Sequence, residues 1–128
     1  MMTVRLIEKV KLEAECRGHR VILDQPINEG GSDAGMTPVE LFIASLGSCI
    51  GYFAVVFCER RKIPAKGLNI ELDWKWAEDP HRIGSIKADI TLPARLDQKE
   101  KAGLLRIVKG CTVHNTMRNP PDMAFTIK

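Results

Sequence analysis

The side chains most able to do chemistry in this chain of 128 residues are its cysteines: Cys16, Cys49, Cys58 and Cys111. A thiol in mid-helix is ordinarily a small buried hydrophobe, and Cys49 lies in an apolar run among Ser45, Gly47, Ser48 and Gly51. What points beyond packing is Cys111, at the start of a polar turn just past Gly110. Two thiols so distant in sequence meet only through the fold. A peroxide-reducing site needs such a pair: one thiolate attacks the peroxide oxygen and becomes a sulfenic acid, and a second thiol condenses with it to a disulfide. The attacking thiolate also needs a nearby cation to lower its pKa. Arg17 and Arg20, in the turn of the first hairpin, are the candidates, with a solvated turn charge as the alternative reading of each.

The remaining candidates read more simply. Cys58 follows Cys49 by nine residues, which at about 100° per residue places it on the opposite helix face. Cys16 falls on the apolar face of the first strand. Both are expected to be structural. Cys111-x-x-His114 could offer two metal ligands, but no second close pair completes the set of about four that a structural zinc normally takes. No metal and no cofactor are expected. His19 and His81 fall in turns and read as solvated.

The element that must position Cys49 is the stretch from Thr37 to Arg61. Thr37 is an N-cap, Pro38 suits the first helical position, and Glu40 completes a capping box. Arg60-Arg61-Lys62 suits the negative end of a helix, and Ile63-Pro64 stops it. From Leu41 to Cys58 there is no charge, so the helix must be tested as a membrane span, which usually wants about 20 strongly apolar residues. Serines, glycines and cysteines dilute this run. A buried central helix, apolar all round, is the expectation. The small residues along one side predict a close partner helix, from this chain or from a second subunit.

Around the helix the pattern is of strands. Val4, Leu6, Val10, Leu12, Ala14 and Cys16 fall on even positions, so residues 3–16 read as one long strand. Residues 17–20 turn, and Val21-Ile22-Leu23 returns. Residues 24–36 form a glycine-rich loop before the helix. Leu68, Ile70, Leu72, Trp74 and Trp76 alternate, as do Ile86, Ala88, Ile90 and Leu92, with residues 78–81 joining them. Asp97 caps a second helix through about Lys109, with Glu100 at the box position; residues 111–117 suggest a helical turn, and Met123, Phe125 and Ile127 a last strand. The order β-β-α-β-β-α-β argues for an α+β fold in a single domain, 1–128. A net charge of +3, with 45% hydrophobic and 27% charged residues, is ordinary for a soluble protein. There is no basic tract, so nucleic-acid binding is unsupported. The N-terminus lacks a signal-peptide layout, and four cysteines without an export signal point to a reducing cytoplasm.

Asp24-Gln-Pro26, Gly30-Gly31-Ser-Asp-Ala-Gly35, Thr37-Pro-Val-Glu-Leu-Phe-Ile-Ala-Ser-Leu-Gly-Ser-Cys49 and Cys111-Thr-Val-His-Asn-Thr116 together resemble the OsmC/Ohr family, the osmotically inducible protein C and organic hydroperoxide resistance proteins. The likeness covers nearly the whole chain. It implies an intertwined homodimer of α+β subunits with antiparallel sheets packed around central cysteine-bearing helices. It also implies a thiol peroxidase acting on organic hydroperoxides, with Cys49 peroxidatic, Cys111 resolving, and a dithiol such as dihydrolipoamide as reductant. Characterised members carry a glutamate directly after the helix-opening proline, where it helps hold the catalytic arginine; that position here is Val39. Glu40 is nine residues before Cys49, about 180° away on a straight helix, and has the capping role as its simpler reading. Arg20 is preferred over Arg17 as the arginine. The alternative function is a non-catalytic dimer holding a small hydrophobic or thiol ligand near Cys49.

Overall fold

Thr37 Oγ1 accepts the Glu40 N–H at 3.2 Å, and Glu40 Oε2 accepts the Thr37 N–H at 2.8 Å. This reciprocal box satisfies backbone donors that a helix start leaves open, and helix α1 runs from it over Pro38–Arg61. The computed structural model describes residues 1–128, and its backbone divides into two compact units, Met1–Ala44 and Ser45–Lys128, with the boundary inside α1.

The first unit holds an antiparallel sheet of β1 (Thr3–Glu8), β2 (Lys11–Cys16) and β3 (His19–Leu23), in that order. The single strand expected over 3–16 is therefore a hairpin, turning at Lys9-Val10 with Lys9 at a φ of 48°. Alternation could not reveal the turn. Val4 pairs with Ala14 and Leu6 with Leu12, so even positions face even positions and the parity survives. An irregularity between Leu6 and Glu8 absorbs the odd residue.

The loop from β3 to α1 is built around Asp24, whose residue is only 1% exposed. A buried carboxylate has to be hydrogen-bonded. Its Oδ1 accepts the Gln25 N–H at 2.9 Å, and its Oδ2 accepts the Ser32 and Ala34 N–H groups, each at 3.1 Å. Burial alone would push the carboxyl up. The three backbone bonds, helped by the Lys11 charge, outweigh it and hold Asp24 below its ordinary value of 3.8. The loop curls so tightly that a Cβ on Gly31 would strike the Gln25 carbonyl.

The second unit contains the rest of α1, the hairpin of β4 (Asn69–Ala77) and β5 (Arg82–Thr91), and helices α2 (Gln98–Val108) and α3 (Thr112–Arg118). Asp97 caps α2 with a full box: its Oδ1 accepts the Glu100 N–H at 2.7 Å. The core gathers Leu46, Ile50, Ala54, Phe57 and Cys58 of α1 with Leu104 and Val108 of α2 and with Cys111. Phe57 is fully buried. The Arg61 guanidinium lies 4.1 Å from its ring centroid, and on another side Gly103 leaves it room, since a Cβ there would sit 3.1 Å from the ring.

Two further expectations are corrected. Residues 119–128 form no strand, and Met123, Phe125 and Ile127 are 75%, 87% and 98% exposed. Alternation makes a strand only where a partner supplies hydrogen bonds, and Pro120-Pro121 removes two donors at its start. The glycine side of α1, read as room for another helix, is instead taken by a strand: a Cβ on Gly47 would lie 2.7 Å from Leu72, and one on Gly51 3.3 Å from Ile70.

Two outcomes follow for the loop. Gly31→Ala should cost about 3 kcal/mol in urea unfolding because backbone stands in the way. Gly30→Ala, with open space but a φ of 88°, should cost only about 1 kcal/mol. Equal costs would contradict this packing. Asp24 adds stability above pH 3.8 that is lost as pH falls through its lowered folded-state value. Asp24→Asn should therefore be less stable than wild type at pH 7, with the gap closing below about pH 4. A gap that is constant down to pH 2 would contradict this.

Candidate functional site

Cys49 stands on α1 one turn after Leu46 and just before Ile50, both buried. Leu46, Ile50, Ala54, Phe57 and Cys58 recur at helical spacing and form the inner stripe. Cys49 lies at the margin of that stripe. It packs against the core yet is only half-buried, and its neighbours Ser48 and Tyr52 are exposed. The helix thus carries its thiol to the edge of the apolar interior, where a small molecule can reach it.

The second thiol arrives by a short turn. After α2 ends at Val108, the chain crosses Lys109 and Gly110 and enters α3 with Cys111 as its N-cap. Cys111 is fully buried. Its Sγ accepts the His114 N–H at 3.4 Å, and its carbonyl accepts the Asn115 N–H at 2.9 Å. Cys49 packs against the same buried cluster that holds Cys111, and the two thiols lie within electrostatic range of one another.

The environments of the thiols differ. Burial pushes the Cys111 pKa up; the His114 N–H pulls the other way, and the neighbouring Cys49 raises it again. Cys111 therefore keeps its proton at neutral pH. Such a group does not initiate attack on a peroxide, but it suits a thiol that answers a sulfenic acid formed next to it. Burial likewise raises Cys58, which has no polar partner and is a packing residue. Cys16 is half-buried at the end of β2.

Of the other residues singled out in the sequence, Arg17, Arg20, Val39 and Glu40 lie in the first unit and His81 in the second. Arg20 is exposed, and its Nε stands 3.5 Å from Glu15 Oε2, an oxygen that also accepts from Arg5 at 3.0 Å. Arg17 holds the β2–β3 turn with a φ of 53°. Glu40 is engaged by Thr37 as the cap, and Val39 beside it is half-buried. His81 stacks on Trp76 with centroids 4.7 Å apart and pairs with Glu78 at 2.8 Å.

Sequence reading weighed His114 only as a metal ligand. In the structure its Nδ1 lies 2.7 Å from the Lys109 carbonyl oxygen. A carbonyl only accepts, so Nδ1 carries the hydrogen. The signal for this was its place three residues after a capping cysteine.

Comparison with known proteins agrees with this architecture. The family model described as OsmC-like protein matches residues 30–126. No match was found among curated proteins. Among solved structures, the chain is similar to a Psychrobacter arcticus 273-4 protein named for osmotic stress induction and detoxification response. That likeness has 22% identity and a TM-score of 0.83, over 90% of this chain and 85% of that one. An OsmC-like protein from Mycoplasma pneumoniae gives 18%, 0.80, and 94% and 87%. An organic hydroperoxide resistance protein OsmC from Legionella pneumophila gives 17%, 0.68, and 92% and 88%.

The contrast between the thiols has a measurable consequence. In the reduced native protein at pH 7, maleimide should label Cys49 at least about tenfold faster than Cys58 or Cys111, with the difference abolished by denaturant. Peptide mapping reads each site. Labelling of Cys111 as fast as Cys49 in the native state would contradict its burial and its raised pKa.

Proposed function

The chain belongs to the OsmC-like protein family, and on that premise we propose that it is a thiol-dependent peroxidase that reduces organic hydroperoxides at Cys49. The observation that carries this reading is that a half-buried thiol, Cys49, packs on the same core that fully buries a second, Cys111. Membership of the family, and the hydroperoxide-resistance name of a structural neighbour, support a role in peroxide stress.

In the proposed cycle the Cys49 thiolate attacks the distal oxygen of ROOH, the O–O bond breaks, and an alcohol leaves once the alkoxide takes a proton. Cys49 is then a sulfenic acid. The Cys111 sulfur attacks the Cys49 sulfur, the S–O bond breaks, and the departing hydroxide takes the Cys111 proton to leave as water. Overall, ROOH and two thiols give ROH, water and a disulfide. A dithiol such as dihydrolipoamide would restore both thiols by exchange. The working unit is taken to be a cytoplasmic homodimer. The apolar residues around Cys49, Leu46 and Ile50 among them, favour an alkyl hydroperoxide over hydrogen peroxide.

Val39 favours a second reading. An apolar side chain stands where characterised relatives place a carboxylate, which suits a dimer that holds a small hydrophobic or thiol ligand beside Cys49 without turnover.

Steady-state reduction of cumene hydroperoxide with dihydrolipoamide separates the two. Cys49→Ser should lower turnover by at least about a hundredfold, while Cys58→Ser, altering a packing residue, should retain wild-type turnover wherever it folds. Equal turnover in wild type and Cys49→Ser would remove the peroxidase reading and leave the binding one.

A further inference from the structure

The turn that delivers Cys111 is short, and its carbonyls are tied from one side. Helix ends leave carbonyls without intrahelical partners. Here the Lys109 oxygen receives His114 Nδ1–H at 2.7 Å, and the Gly110 oxygen receives Asn115 Nδ2–H at 3.1 Å. Both donors come from the first turns of α3. His114 contributes twice, since its backbone N–H also reaches Cys111 Sγ at 3.4 Å. One residue therefore grips the chain two positions before the thiol and the thiol itself.

From this geometry we propose that His114 is a positioning residue for Cys111, holding the resolving sulfur where it can close on Cys49. The inference rests on the peroxidase reading for its biological setting, but its physical content is independent of peroxide. Closing a disulfide demands that two Cβ atoms come within about 3.5–4.5 Å, so a small rotation of α3 about the Lys109–Cys111 turn moves the sulfur out of range. His114 is half-buried, and its bond to the Lys109 carbonyl lies at the exposed end of the turn. The bond uses Nδ1–H, so the role is one of donation to a carbonyl and needs no proton transfer by the ring. An asparagine amide nitrogen occupies nearly the place of Nδ1, whereas a glutamine amide reaches the place of Nε2.

Rapid mixing of reduced protein with one equivalent of cumene hydroperoxide, quenched at intervals and read by mass spectrometry with dimedone trapping, separates the two steps. In His114→Ala, sulfenic acid should form on Cys49 within about twofold of wild type, while the disulfide closes about tenfold more slowly. His114→Asn should recover most of the closing rate, and His114→Gln should not. Closure at the wild-type rate in His114→Ala, equal slowing of both steps, or recovery by glutamine in place of asparagine would each overturn the proposal. The same variants treated with diamide report closure without hydroperoxide, because Cys49 adds to the diazene and Cys111 displaces the hydrazine. A wild type inert to hydroperoxide would thus remove the peroxidase reading, while the diamide rates would still decide the role of His114. A wild type that forms no disulfide in diamide would overturn it as well.

Discussion

The second unit depends on burying one stripe of an uncharged helix. From Leu41 to Cys58 α1 carries no charged side chain, and water offers such a surface nothing. Burial of each large apolar side chain is worth about 1.5–3 kcal/mol, so Leu46, Ile50 and Phe57 alone supply much of what holds the second unit together. β4 comes close because Gly47 and Gly51 present no side chain to Leu72 and Ile70, and α2 comes close because Gly103 gives way to Phe57. Cys49 lies at the border of this packing. Its position is a by-product of the same stripe that fixes the core.

Two thiols set beside one another become unequal through burial alone. Cys111, with no exposure, keeps its proton, and the N–H of His114 only partly offsets that. Cys49, at the margin, is the sulfur that solvent and substrate can approach. The proposed two-step thiol chemistry asks for this inequality, an accessible attacker and a protonated partner. The exposed Arg20–Glu15 pair belongs to a class of contacts that contribute little to stability.

Legibility from sequence tracked how local the cause was. The caps at Thr37 and Asp97 were readable because each is a bond between residues three apart, and both form as the spacing implies. The strands around Trp74 and Ile86 were readable from alternation. The turn at Lys9-Val10 was not, because a hairpin pairing Leu6 with Leu12 preserves parity. The segment holding Phe125 alternates like a strand, but pairing is a property of two segments and this one has no partner in the chain. Which neighbour lies over Gly47 was likewise undetermined, since a glycine announces close approach without naming what approaches. The meeting of Cys49 with Cys111 followed from no spacing in the sequence, only from resemblance, and His114 reads as a possible ligand until its Nδ1 is found on a backbone carbonyl.

The central claim is that Cys49 and Cys111 act as one unit. It is tested most directly by treating the reduced protein with a single equivalent of cumene hydroperoxide and mapping disulfides by mass spectrometry without reduction. The account predicts loss of two thiols per chain and one bond joining Cys49 to Cys111, with Cys16 and Cys58 still reduced. Cys49 advancing to a sulfinic acid while Cys111 stays free, or disulfides spread over all four cysteines, would contradict it.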